Sequence, residues 1–98
     1  MFGQMKDLYQ IQKKAKELKK MLREIEIEAE EDGVLVVVNA SQDIVSIEFE
    51  ESLLSPQNKK RIEKNLKTAL DRAQKKAQEI SAEKMKPMMG DLGLPGGM

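Results

Sequence analysis

The 98-residue chain carries 17 basic and 17 acidic side chains but neither cysteine nor histidine. This composition excludes disulfides, zinc–thiolate sites and catalysis that depends on histidine. The zero net charge hides a partition, because residues 1–24 and 56–86 are basic overall, whereas residues 25–55 hold nine acidic and no basic side chains.

The first predicted element is an amphipathic helix over residues 4–24. Apolar residues from Leu8 to Ile25 recur at alternating spacings of three and four, the heptad pattern of a helix that packs against one partner. A cationic stripe on the opposite face suits contacts to successive phosphates, although lysine on an outer helical face is often only solvated. Within an arc of about 100°, this outer face carries Lys6, Lys13, Lys16, Lys20 and Arg23.

Three short strands are predicted next. Residues 25–30 alternate apolar side chains with glutamate, which is typical of a half-buried strand with an acidic outer face. The turn residues 31–33 lead to a β-branched strand over residues 34–38, and residues 39–43 form a second turn. Residues 44–50 alternate again. The pattern predicts an antiparallel meander with one acidic face.

A second basic helix ends the predicted domain. Ser55 suits the N-cap, Pro56 suits the first helical position, and Pro87 predicts an end at Lys86. Lysines at 60, 64, 67 and 75 share one side, with Arg61 and Arg72 adjacent. The sequence thus predicts an α+β fold in the order α-β-β-β-α, with one domain over residues 1–87 and a flexible Gly-rich tail over residues 88–98.

No motif for catalysis, cofactor binding or metal binding is present. The acidic run over residues 28–33 lacks the ligand spacing and the closing glutamate of a calcium loop. The serines have no histidine to act as a base, and no Gly-rich phosphate loop joins a strand to a helix. We predict no catalytic site, no metal, no cofactor and no small-molecule substrate.

A membrane location is not expected either. No apolar run approaches the roughly 18 residues that span a bilayer, and residues 1–7 lack the apolar core of a signal peptide. We therefore expect a cytoplasmic protein.

Several short segments, taken in their order and spacing, form a recognisable pattern. They are MFG at 1–3, GVLVVVN at 33–39, IVSIEF at 44–49, SLL at 52–54 and GLPG at 93–96, together with Leu66, Ala69, Arg72, Ala73 and Met85. In this pattern the chain resembles the YbaB/EbfC nucleoid-associated proteins of bacteria. The resemblance implies a homodimer with the sheets and last helices at its centre and the first helices projecting as a tweezer. It also implies DNA binding with little or variable sequence preference, and a nucleoid role in DNA organisation or gene expression.

The predicted function is the binding of duplex DNA through the basic helix surfaces, while the acidic sheet face repels DNA. The residues predicted to contact phosphates are Lys13, Lys16, Lys20 and Arg23, with Lys60, Lys64 and Arg72 as a second group. The residues predicted for the dimer interface are Val36, Val38, Ile47, Leu66 and Ala73.

Two other interpretations stay open at this point. The heptad stripe is also typical of coiled-coil interaction modules, including chaperone-like assemblies such as prefoldin, in which it would bind client or adaptor helices without nucleic acid. The response to salt separates the two, because phosphate binding weakens steeply with salt and apolar docking does not. The third interpretation is an enzyme of unrecognised type, which the missing acid–base groups disfavour.

Overall fold

The computed structural model describes the backbone of residues 2–91 and the side chains of residues 8–87. It confirms the predicted α+β fold and its α-β-β-β-α order. The elements are α1 (Phe2–Glu24), β1 (Glu26–Glu31), β2 (Val34–Asn39), β3 (Ile44–Phe49) and α2 (Lys59–Asp91), with short 3-10 turns at Glu51–Leu53 and Pro56–Asn58.

The three strands form one antiparallel sheet in which β2 is central. The β1–β2 register is regular, whereas the β2–β3 register shifts between Val37 and Val38. Val38 pairs with Ile44 and Val37 pairs with Ser46, so Val45 is an extra residue on β3. Such a bulge bends an edge strand and increases its twist.

The β1–β2 turn has the geometry that its sequence predicts. Glu31 pairs with Val34, which leaves Asp32 and Gly33 as a two-residue loop. Both have positive φ, 46° at Asp32 and 87° at Gly33. This combination is a type I′ turn, whose twist matches that of the two flanking strands.

The core lies between α2 and the first two strands. Alternate valines of β2, at positions 34, 36 and 38, are fully buried, and so are Ala69 and Ala77 of α2. Alanine has no side chain beyond Cβ, so the α2 backbone can lie close to the valine-rich sheet. α2 packs mainly on β1 and β2, and β3 therefore forms a less covered edge.

Three residues predicted for the dimer interface lie in this core instead. Val36 and Val38 have no exposed surface, and Ala73 is 1% exposed. These three side chains pack against each other within one chain and have almost no surface left for contact with a second copy, so the structure makes them core residues of the single chain. Ile47 remains 37% exposed and Leu66 is half-buried.

The ends of α2 also differ from the prediction. Ser55 has the extended backbone of an N-cap, but its side chain makes no capping hydrogen bond, and Pro56 begins a 3-10 turn before the helix. Pro87 lies inside α2, which continues to Asp91. Proline removes one i→i−4 hydrogen bond, and at an exposed position water can satisfy the carbonyl left without a partner.

α1 is fastened at its C-terminal end. Leu22 is 6% exposed and packs in the core, with Leu18 and Ile25 against it. The backbone N–H of Ala40 donates to the carbonyl oxygens of Leu22 (3.0 Å) and Ile25 (2.9 Å). Leu8, near the other end, is 60% exposed. The helix therefore extends away from an anchored base.

We expect Gly33→Ala to destabilise the fold. The φ of 87° is costly for any residue with a Cβ, by about 1–2 kcal/mol. A Cβ at this position would also lie 2.5 Å from Leu53 Cδ1, in a side chain that is only 5% exposed. Denaturant unfolding followed by circular dichroism measures the loss. The exposed-site variant Glu30→Ala is the control, and equal midpoints for the two variants would contradict this account of the turn.

Candidate nucleic-acid interface

A basic stripe runs along the outer face of α1. We use this name for Lys13, Lys16, Lys20 and Arg23, all of which are exposed. At 100° per residue they fall within an arc of about 80°, and they span about 15 Å along the helix axis. Lys6 belongs to the same predicted face, but its side chain lies outside the described residues. The helix thus presents a row of cations with its apolar seam on the other side.

The stripe leads into a cleft at the base of α1. This base cleft is an open depression of about 540 Å³ lined by Lys19, Arg23, Ser41 and Asp43. It forms because the hydrogen bonds from Ala40 to the end of α1 bring the β2–β3 turn beside the helix. No sequence pattern indicates this juxtaposition, since Lys19 and Ser41 are 22 positions apart.

The lysines predicted as a second DNA-contacting group are exposed on α2. Lys60 and Lys64 lie one turn apart on the solvent side of the helix. Arg72, predicted with them, donates a hydrogen bond and forms an ion pair with Glu31 of β1. Its charge is therefore partly neutralised within the protein, and this distinguishes it from the two lysines.

A second arginine of α2 is paired in the same way. Arg61 donates from Nε and Nη2 to the two carboxylate oxygens of Asp32, at 2.7 and 2.8 Å. Asn65 Nδ2 donates to the same carboxylate at 3.1 Å. The hydrogen bonds from Arg61 and Asn65 hold the pKa of Asp32 below its usual value, and the bond to Asp32 raises the pKa of Arg61. The pair fastens the start of α2 to the β1–β2 turn.

Four of the five strand glutamates lie on the sheet face that points away from α2, whereas Glu31 lies on the α2 side and pairs with Arg72. Val34, Val36 and Val38 face the helix, so the alternate positions and their cross-strand partners lie on the other face. The exposed glutamates of this acidic face are Glu26, Glu28, Glu30 and Glu48. This face therefore carries concentrated negative charge, whereas the exposed basic side chains among the described residues lie on the two helices.

Other kinds of site find little support in the described part of the chain. No group of three or more carboxylates there is arranged to hold a metal ion. None of its helices is both long and apolar enough to cross a membrane.

The comparison with known proteins fits this arrangement of charges. Residues 1–92 match the model of the YbaB/EbfC DNA-binding family. The chain belongs to the YbaB/EbfC DNA-binding family. The family description names DNA binding and no catalytic activity.

Relatives and a solved structure cover almost the whole chain. A nucleoid-associated protein of Bradyrhizobium diazoefficiens is 37% identical over 98% of this chain and 92% of its own length. A nucleoid-associated protein from another Bradyrhizobium species is 39% identical over 97% of this chain and 92% of its own length. One from Afipia carboxidovorans is 33% identical over 96% of this chain and 91% of its own length. The crystal structure of an uncharacterized Helicobacter pylori protein shares the fold, with a TM-score of 0.79 at 22% identity, over 92% of this chain and 98% of the other.

The ion pair between Asp32 and Arg61 predicts a component of stability that depends on pH. Because the carboxyl pKa is lowered in the folded state, this contribution is complete above the unfolded pKa of ~3.9 and is lost as pH falls through the lower folded value. The effect is modest because both side chains are about half exposed. We expect the unfolding midpoint of wild type to exceed that of Asp32→Asn above about pH 4 and to converge with it only as pH falls further, through the lower folded pKa of Asp32.

Asparagine accepts the positive φ at position 32, so the turn itself is retained. Arg61→Met removes the larger, arginine-dependent part of this component and leaves the hydrogen bond from Asn65, so it serves as the matched variant from the other partner. A constant difference between wild type and both variants from pH 7 to pH 3 would show that the pair does not provide this component.

Proposed function

We propose that this protein binds duplex DNA through the basic stripe of α1, with little sequence preference, as a nucleoid-associated protein of the bacterial cytoplasm. In this role it would organise the nucleoid or modulate gene expression. The single observation that carries the proposal is the placement of four exposed cations on one face of a helix whose most deeply buried described side chain, Leu22, lies at its base. Membership of a DNA-binding family and nucleoid-associated relatives support it.

The dimensions of the stripe suit a DNA backbone. Its length of about 15 Å corresponds to about four phosphates of one strand, which advance ~3.4 Å each along the duplex axis. Lysine and arginine that contact phosphates release condensed counterions, and this release supplies affinity without base recognition. Lys60 and Lys64 extend the contact, while Arg72 contributes less because Glu31 pairs with it.

We also propose that two copies associate through the β3 edge. On the α2 side of the sheet, β3 leaves Ile44, Ile47 and Phe49 between 37% and 51% exposed. The connector adds an apolar groove whose lining includes Leu54 and Ile62. An unpaired apolar edge of this kind favours association, and a homodimer presents two basic stripes to DNA. Of the predicted interface residues, Ile47 and Leu66 remain available for this contact.

The DNA-binding proposal is tested by fluorescence anisotropy of a labelled duplex of about 30 base pairs at several salt concentrations. For wild type, the logarithm of affinity should fall linearly with the logarithm of salt concentration. Replacing Lys13, Lys16, Lys20 and Arg23 with Ala should reduce the slope by about 3–4, since each phosphate contact contributes ~0.9. The control replaces four exposed α2 lysines with Ala: Lys75, Lys76, Lys84 and Lys86.

Equal affinity and slope for the two quadruple variants would overturn the stripe as the DNA site. If wild type does not bind DNA even at low salt, the basic stripe only contacts solvent and has no role in DNA binding. The exposed Leu8 and Tyr9 beside the apolar seam would then favour a helical protein partner.

The dimer is tested by analytical ultracentrifugation. Wild type should sediment with twice the 11.1 kDa mass of the chain. Ile47→Glu should produce monomer with unchanged circular dichroism, because the side chain is already 37% exposed and the charge is placed at the proposed contact. Ser46→Glu puts the same charge on the opposite face of β3 and should leave the dimer intact. Wild-type monomer at tens of micromolar, or a dimer that survives Ile47→Glu, would contradict the β3 interface.

A further inference from the structure

We propose that the β2–β3 turn is a second DNA-contacting element and that Lys19, Arg23 and Ser41 hold one backbone phosphate in the base cleft. The inference rests on the proposed function of the stripe and extends it to residues on a different element. It follows from three features: continuity of the stripe with the cleft, the rigid attachment of the turn, and the chemistry of the groups that line the cleft.

The first feature is continuity. Viewed down α1, Lys19 lies about 40° beyond Arg23, so the cations progress around the helix towards the turn within a total arc of about 120°. Lys19 and Arg23 are exposed and both line the cleft. A DNA backbone that follows the stripe towards the base of α1 therefore reaches the cleft, where the turn meets it.

The second feature is the rigidity of the turn. The buried Asn39 exchanges side-chain hydrogen bonds with Asp43: its Oδ1 accepts from the Asp43 backbone N–H at 3.0 Å, and its Nδ2 donates to Asp43 Oδ2 at 3.2 Å. The Asn39 backbone N–H donates to the Asp43 carbonyl at 3.0 Å, and that of Gln42 donates to the Asn39 carbonyl at 2.8 Å. With Ala40 bonded to α1, these contacts fix Ser41 relative to the helix, and little ordering remains for DNA binding.

The third feature is the chemistry of the lining. Two cations and a hydroxyl are donors suited to phosphate oxygens. The carbonyl of Leu22, at the negative end of α1, already accepts from Ile25 and Ala40, which reduces its effect on an incoming anion. The Asp43 carboxylate opposes a phosphate, but two cations against one carboxylate leave the cleft with a net positive charge.

The carboxylate gives the proposal a distinctive consequence. Asp43→Asn removes the opposing charge and retains an oxygen that can accept from Asn39. We expect this variant to bind DNA several-fold more tightly than wild type. A site in which the turn plays only a structural role would instead be weakened or unaffected by the loss of the carboxylate.

The experiment uses the full chain and the same duplex of about 30 base pairs, with Kd measured by anisotropy across salt concentrations. Lys19→Ala should lower the slope of log affinity against log salt concentration by ~0.9 relative to wild type. Lys76→Ala, which removes the same charge from α2, should lower this slope by less. Ser41→Asp should weaken binding about 10-fold or more relative to Ser52→Asp, a matched charge change at an exposed connector position. Ser41→Lys should tighten binding, a gain that only a folded variant can show.

The results separate this inference from the proposed function. Suppose that the quadruple stripe variant loses binding, while Ser41→Asp binds like Ser52→Asp and Lys19→Ala binds like Lys76→Ala. The stripe then binds DNA, and the proposed phosphate site in the base cleft is refuted. If the stripe variant binds like its control, or if wild type does not bind DNA, both ideas fail together. By NMR, addition of the duplex should change the chemical shifts of the Ser41 and Gln42 amides in wild type but not in Lys19→Ala. This result would directly support the phosphate site in the base cleft.

Discussion

The close contact between the alanines of α2 and the valines of β2 determines what the rest of the molecule can expose. Val34, Val36 and Val38 are fully buried, as are Ala69 and Ala77. The interior therefore consists largely of the valines of one strand, β2, packed against small alanine side chains of α2. Because α2 lies over β1 and β2, its lysines face solvent and β3 is left as an apolar edge. The α2 lysines that extend the proposed DNA contact and the β3 edge proposed for dimerisation therefore both depend on the way α2 packs on the sheet.

Electrostatics reinforces that arrangement. The acidic residues of the chain's centre are used in two ways: Glu31 and Asp32 hold arginines of α2, and the glutamates of the outer sheet face remain in solvent. The first use fastens the helix to the sheet with surface pairs that each contribute little. The second use excludes polyanions from one side of the protein. A chain of zero net charge can thus direct DNA towards the α1 stripe, because the field at each surface depends on local rather than total charge.

The periodicity of the sequence was sufficient to predict the helices and strands. The roles of individual residues depended on tertiary contacts, which periodicity does not reveal. The heptad stripe, the alternating strands and the Asp32–Gly33 turn depend on local sequence, and all of them were predicted. The roles of Val36 and Arg72 depend on what lies opposite them in space, an alanine-lined helix in one case and Glu31 in the other. Pro87 failed as a stop signal because the helix continues through it to Asp91, at an exposed position where water can satisfy the carbonyl that loses its partner. The base cleft was invisible because backbone hydrogen bonds from Ala40 create it.

The attachment of α1 suits the DNA-binding role proposed for this helix. Its only deeply buried side chain among the described residues is Leu22, next to the point where Ala40 bonds the helix end. A helix held in this way keeps its cationic face accessible along its length, whereas a helix laid across the sheet would bury part of it. The turn that provides the anchor also carries Ser41. The proposed phosphate site in the base cleft therefore lies where hydrogen bonds join the helix to the sheet, so that little further ordering is needed on binding.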